Sequence, residues 1–119
     1  MLAHLVPFII AATLGLERPE VEYKVFQFPA AQIPSIDGRT ADWEIVPASY
    51  TVGTDQLRET VIGLADKFDH TDLDVSVKVG WVNGENRLYF LYEASDDYWD
   101  FSRSDLHNDI FEIVVDGDL

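Results

Sequence analysis

The sequence predicts an all-β protein, an antiparallel β-sandwich of the immunoglobulin-like or jelly-roll-like kind. Apolar side chains alternate with small or polar ones from Val75 to Trp81, which is the period of a half-buried strand. The turn signal Asn83-Gly84 follows, and Leu88–Ala94 returns as an aromatic-rich partner, as expected for a β-hairpin. Other short apolar runs are separated by turn residues, and this pattern favours a sandwich.

The remaining elements are shorter. Val21–Phe28 is rich in β-branched and aromatic residues and is predicted to be the first strand. Tyr50–Thr54 is predicted to be a short strand, and Ile110–Val115 a further one. Leu57–Phe68 fits either a short helix or a strand followed by a loop, because a glycine interrupts both patterns. The valines of the hairpin share a face with Trp81, so we expect that tryptophan in the core.

The domain is expected to span residues 21–119. The segment Met1–Leu16 is apolar, too short to span a bilayer, and typical of the hydrophobic region of a secretory signal peptide. The alternative is a buried N-terminal segment, since no Lys or Arg precedes the run. At the other end, Ile110–Val115 would be a free apolar edge, which proteins usually protect. We therefore expect the strands that complete the sandwich to lie beyond Leu119.

Charge and composition narrow the classes of function. The 119 residues include 8 basic and 22 acidic ones, a formal net charge of −14. Such a surface repels phosphate backbones and anionic lipids, so nucleic acid and membrane are not expected partners. There is no cysteine, which excludes disulfides, zinc-thiolate sites and a cysteine nucleophile. The only methionine is Met1, so haem ligation by methionine within the domain is not expected.

The functional signal lies between Glu93 and Leu119, where nine acidic residues accompany a single base. Sugars offer apolar faces to aromatic rings and hydroxyl groups to carboxylates, amides and arginine. The candidate ligand-binding residues with this chemistry are Trp99, Asp97, Arg103, His107, Asn108 and Trp43. Either tryptophan could instead pack in the core, and His70 is expected to be solvated.

Two other chemistries fit the same acidic stretch. Calcium takes six to eight oxygen ligands, and the candidate ligands, placed at predicted strand ends, are Asp96, Asp97, Asp109 and Asp116. A pair of carboxylates could also act as acid and base on a glycosidic bond, but the sequence does not select a pair. A structural or adhesive domain without a sugar pocket is the third alternative.

Three motifs together resemble family 9 carbohydrate-binding modules and their DOMON-like relatives. Ile36-Asp37-Gly38 followed by Asp42-Trp43 is similar to the family's opening turn and tryptophan. The paired strands from Val75 are similar to those of the family, ending in the step Asp96-Asp97. Finally, Asp109, Glu112 and Asp116 follow the family's pattern D-x-x-E-x-x-x-D.

The resemblance covers roughly residues 25–119 and implies a non-catalytic β-sandwich that binds oligo- or polysaccharides outside the cytoplasm. It also implies attachment to a polysaccharide-degrading enzyme and structural calcium. Some members hold a sugar between two tryptophans, and some related domains bind haem. In this sequence no motif assigns Trp43 or Trp99 to such a pair.

Overall fold

The computed structural model describes residues 22–56, 69–104 and 108–113. The predictions for Met1–Leu16 and Leu57–Phe68 lie outside these ranges. Within them the chain is built of strands, and its helical elements are three 3₁₀ turns of three residues each. The prediction of an all-β protein is confirmed at this level.

Four strands form one sheet in the described part of the chain. They are β1 (Val25–Phe28), β2 (Val52–Gly53), β3 (Leu73–Val82) and β4 (Leu88–Asp96). β4 pairs with β3 along almost its whole length. β1 and β2 lie one after the other along the opposite edge of β3, so β3 is the central strand.

The sheet is mixed, which corrects the prediction of purely antiparallel strands. β1 runs parallel to β3, with Val25 opposite Val79 and Phe28 opposite Val82. A parallel pair needs a long crossover connection in place of a tight turn. The chain between Phe28 and Leu73 supplies it, and the local sequence of either strand carries no sign of their relative direction.

The β3–β4 hairpin confirms the strongest local prediction. Trp81 faces Leu88 and Val75 faces Ala94 across the pair. The Glu85 N–H donates to the Val82 carbonyl at 3.1 Å, and Gly84 has φ 87°. Glycine adopts this conformation without the steric cost of a β-carbon.

The predicted strand at Ile110–Val115 is not formed where the structure describes it. Residues 110–113 are loop, and residues 114–115 lie outside the described ranges. The ring of Phe111 stacks on Tyr92 of β4, with centroids 4.4 Å apart and an interplanar angle of 8°. This segment therefore contacts the sheet through side chains on its face, where no backbone ladder can form.

The core lies on one face of the sheet. Its buried residues are Phe28, Trp43, Val46, Val82 and Tyr89. The rings of Phe28 and Trp43 meet edge to face at 5.0 Å, a favoured geometry for aromatic pairs.

Trp43 reaches this core from the predicted turn at Ile36-Asp37-Gly38, which the structure confirms. The Arg39 N–H donates to Asp37 Oδ1 at 3.0 Å, and Gly38 has φ 76°. The Ser35 N–H donates to Asp42 Oδ2 at 2.9 Å. These bonds fix the loop, and the 3₁₀ turn Ala41–Trp43 then directs the indole inward.

The opposite face of the sheet, the valine face, is also apolar. It carries Val75, Val77, Val79 and Trp81 of β3 together with their β4 partners Ala94, Tyr92, Phe90 and Leu88. Val75 and Val77 are buried, whereas Leu88 is 54% exposed and Trp81 is half-buried. Trp81 therefore lies on the side away from the main core, which corrects the expectation for it.

Candidate functional site

A cavity of about 240 Å³ lies at the end of the hairpin away from its turn. The start of β3 and the end of β4 form its floor, on the same side as the valine face, and the loop segments after β4 form its walls. The lining residues that the structure describes are Leu73, Tyr92, Ala94, Asp96, Trp99, Asn108, Asp109 and Ile110.

Four of the residues proposed from the sequence meet in this cavity: Trp99, Asn108, Asp96 and Asp109. The Trp99 side chain is 62% exposed and stacks on Phe101, with centroids 6.1 Å apart at an interplanar angle of 24°. A broad indole face beside carboxylate and amide oxygens can pack against an apolar surface and accept hydrogen bonds from the same ligand.

Hydrogen bonds between the two loop segments hold the walls in place. The Asp100 N–H donates to Asp109 Oδ2 at 2.6 Å, and the Asp109 N–H donates to the Asp100 carbonyl at 3.0 Å. Nearby, the Asn108 amide pairs with the backbone of Arg103 through two bonds of 2.9 Å. Asp109 and Asn108 thus have a structural role in addition to lining the cavity.

The Asp100 carboxylate stabilises the same loop from within. Its Oδ1 accepts hydrogen bonds from the Ser102 hydroxyl at 2.6 Å and from the Ser102 N–H at 3.0 Å. These bonds favour the charged form and lower the pKa of Asp100. This carboxylate therefore stays ionised and supports the wall that carries Trp99 and Phe101.

Tyr92 lies on the floor, between the sheet and the acidic wall. Partial burial raises the pKa of its phenol, and the negative charges of Asp96 and Asp109 raise it further. Both carboxylates therefore act on the same region of the cavity. Tyr92 was not singled out in the sequence, because only the strand register places it on the face occupied by Val77.

The predicted calcium ligands are only partly together. Asp96 and Asp109 line the cavity, Asp97 is exposed outside it, and Asp116 lies outside the described residues. Asp97 instead approaches Asp72, whose backbone carbonyl accepts its N–H at 3.1 Å. Hydrogen bonding and repulsion from the Asp97 carboxylate raise the pKa of Asp72. In residues 22–56, 69–104 and 108–113, no group of three or more acidic or histidine side chains is arranged to hold a metal ion.

Among the other proposed ligand-binding residues, the position of Trp43 shows that the prediction of a ligand-binding role for it is wrong. It is 3% exposed and packs on Phe28 in the core, so its indole offers no face to a ligand. Arg103 is exposed next to the cavity wall and is not one of the lining residues. His107 lies outside the described ranges.

A second polar cluster surrounds His70, a residue that the sequence predicts to be solvated. Its Nε2 lies 2.9 Å from Asp55 Oδ1 and its Nδ1 lies 3.0 Å from Asp74 Oδ1. The hydroxyl of Thr54, which is 2% exposed, donates to Asp74 at 2.7 Å. The hydrogen bonds to Asp74 and then to Asp55 raise the pKa of His70.

Comparison with known proteins identifies no relative: no family model, no curated protein and no solved structure matches the chain. The resemblance to family 9 carbohydrate-binding modules therefore remains a prediction. Separately, no helix in the described part of the chain has the length and apolar character that crossing a bilayer requires.

Proposed function

We propose that the chain is a non-catalytic saccharide-binding module that acts outside the cytoplasm. The observation that carries this proposal is the cavity in which the exposed Trp99 ring stands beside the oxygens of Asp96, Asn108 and Asp109. An apolar ring next to a few fixed polar groups suits a sugar, whose C–H face and hydroxyl groups lie on different sides.

The size of the cavity favours a small binding unit. At about 240 Å³ it is below the roughly 300–1,000 Å³ of sites for drug-sized ligands. The ligand would therefore place one sugar ring against Trp99 and leave neighbouring units outside. This arrangement suits the end or a single unit of an oligo- or polysaccharide.

The sandwich architecture belongs to the same proposal. The valine face presents apolar side chains that are half-exposed in the described ranges, among them Trp81 and Phe90. In a β-sandwich the apolar faces of two sheets pack about 10 Å apart. A second sheet over the half of the valine face near the hairpin turn, which carries Trp81 and Phe90, would bury these side chains, whereas the cavity lies at the other end of the hairpin.

Export, a bound calcium ion and an attached catalytic domain complete the proposal. The apolar segment Met1–Leu16 supports export. The adjacent carboxylates of Asp72 and Asp97 support calcium, since a hard cation relieves the repulsion between like charges. The attached enzyme rests on the sequence resemblance alone.

The test is binding of the full chain to a panel of soluble oligosaccharides, measured by calorimetry, with Trp99→Ala as the variant. Loss of the ring face should weaken binding roughly tenfold, equivalent to about 1.4 kcal/mol. Tyr98→Ala is the matched control, because Tyr98 is a neighbouring aromatic residue, 71% exposed, that does not line the cavity.

The outcomes separate the alternatives. Equal binding by wild type and Trp99→Ala would show that the cavity is not the sugar site, and absence of binding to every sugar would favour a structural or adhesive domain. Steady release of shorter products, abolished by Asp97→Asn or Asp109→Asn, would identify a glycoside hydrolase. In every variant the melting temperature should be measured first, so that misfolding is not read as lost binding.

A further inference from the structure

The charge of the cavity narrows the sugars that it would accept. Two of its lining side chains, Asp96 and Asp109, are carboxylates, and among the lining residues that the structure describes there is no lysine or arginine. The nearest base in sequence, Arg103, pairs with Asn108 through its backbone, and its positive charge acts on Asp100 in the cavity wall. A uronic acid or sulfated sugar would therefore meet repulsion from both carboxylates, and no described lining residue would supply a positive charge to offset it.

Each of the two carboxylates has an oxygen to offer a ligand. Asp96 Oδ1 accepts the Tyr98 N–H at 3.0 Å, and Asp109 Oδ2 accepts the Asp100 N–H at 2.6 Å. Within the described ranges, no further hydrogen bond occupies the second oxygen of either carboxylate. These bonds from the backbone hold the two carboxylates in place. In each carboxylate the second oxygen can accept a hydrogen bond from a ligand in the cavity.

The aromatic rings strengthen the preference for a positive charge. Tyr92 and Trp99 both line the cavity, and the faces of such rings attract cations. Burial raises the pKa of Tyr92 most, and the negative charges of Asp96 and Asp109 raise it further, so both charges act at its hydroxyl. A neutral sugar would displace water from the carboxylates of Asp96 and Asp109 without supplying a positive charge. The lost hydration of these carboxylates would then weaken binding.

We propose that the cavity selects an amino sugar carrying a free, protonated amine, such as a glucosamine unit of a deacetylated chain. The ammonium group would lie between Asp96 and Asp109, with the sugar ring against Trp99. The inference rests on the proposed saccharide binding and goes further by naming the ligand class.

The experiment compares three disaccharides of the same linkage: the glucosamine disaccharide, its N-acetylated form and cellobiose. Dissociation constants are measured by calorimetry with the full chain, below neutral pH and with excess chelator to exclude metal ions. The glucosamine disaccharide should bind at least about tenfold more tightly than the two neutral sugars. That advantage should shrink as salt is added, because ions screen partly exposed charges.

Charge-removing variants identify the residues responsible. Asp96→Asn and Asp109→Asn each keep an oxygen that can accept the backbone N–H while removing the charge. Each single variant should lose most of the preference for the amine, and the two are tested separately in case one loop fails to fold. Glu44→Gln removes one exposed charge from a loop that does not line the cavity and should retain the preference.

Four results would overturn the inference. Equal affinity for cellobiose and the glucosamine disaccharide would refute the amine preference while leaving saccharide binding intact. Binding of cadaverine, a diamine without a sugar ring, as tightly as the glucosamine disaccharide would show only a general attraction of cations by an acidic protein. The same conclusion would follow if Glu44→Gln lost as much of the amine preference as the cavity variants. Absence of binding by all three sugars would refute the proposed function as well.

Discussion

At Gly80 the sheet has no side chain on its core face, and the ring of Phe28 occupies the space. A β-carbon at this position would lie 2.7 Å from Phe28 Cδ2 and 3.2 Å from the Phe26 carbonyl oxygen. Phe28 is 1% exposed and is held by Phe26 and Trp43 through edge-to-face contacts. It has no room to retreat, so a single methyl group would disturb the core.

Gly80→Ala should therefore lower the free energy of unfolding by about 1–3 kcal/mol, the usual cost of overpacking. Urea unfolding measures this change. An unchanged slope of the unfolding free energy against urea concentration would show that only stability has changed. Gly53→Ala is the matched control: its β-carbon would come no closer than 4.0 Å to Val75 O, and we expect a change within about 0.5 kcal/mol. Equal effects of the two substitutions would contradict this account of Gly80.

The tryptophans show where residue type alone stops being informative. Trp43 and Trp99 both follow an aspartate-containing turn or loop, and the sequence allowed either to be a core or a ligand-binding residue. The structure buries Trp43 to 3% exposure and leaves Trp99 at 62%. The difference arises because Phe28, distant in sequence, packs on the Trp43 indole.

At the scale of elements, His70 joins three parts of the fold. It lies in the turn before β3, Asp74 belongs to β3, and Asp55 belongs to the 3₁₀ turn after β2. A histidine whose two ring nitrogens both face carboxylates donates to both only as an imidazolium. Asp69 adds a further negative charge that interacts with it.

The pH dependence of stability follows from this geometry. Because the folded state raises the pKa of His70 above its ordinary value of 6.5, its contribution is fully present below that value and is lost as pH rises through the folded pKa. The stability difference between wild type and His70→Gln should be larger at about pH 5.5 than at about pH 9. Urea unfolding at both pH values measures it.

A second variant keeps this prediction specific. Asp55→Asn removes the charge of one of the two carboxylates and should lower the pKa of His70, observed by NMR titration of its ring protons. A His70 pKa that is the same in Asp55→Asn and wild type, or a stability difference independent of pH, would show that the cluster is not an ion-paired link.

The elements differ in how far sequence predicts them. The hairpin was predicted closely because its signals are local: an alternation of period two, a glycine turn and a returning aromatic strand. The segment at Ile110–Ile113 carries a similar apolar pattern yet forms no strand there. The segment could form a strand only if the unpaired edge of a neighbouring strand lay next to it. In the structure Phe111 stacks on the ring of Tyr92 on the face of the sheet.

At the scale of the whole molecule, acidity concentrates where β3 begins and β4 ends. Asp72 and Asp97 lie side by side there, and the Asp97 carboxylate, with smaller contributions from the charges of Asp69 and Asp96, raises the pKa of Asp72. Such a cluster within a chain of net charge −14 opposes folding through repulsion. A bound calcium ion would offset it.

Calcium should therefore raise the melting temperature, and chelator should lower it again. An ion that binds only the folded state adds about 2.7 kcal/mol at a concentration one hundred times its dissociation constant. Thermal unfolding with calcium, with magnesium and with chelator measures the effect. Asp97→Asn should abolish the response, whereas Glu44→Gln should retain it. A melting temperature unaffected by chelator would exclude a structural calcium ion at this cluster.

The sequence by itself determined the all-β class and the hairpin with its Asn83-Gly84 turn, and it proposed four residues that the structure places in one cavity. These follow from local periodicity, from the φ that glycine permits, and from the chemistry of side chains close together in the chain. Only the tertiary structure decided that β1 runs parallel to β3, that Trp43 belongs to the core, and that Tyr92 forms the cavity floor. Each of these depends on strand register and on packing between distant segments, which no local pattern encodes.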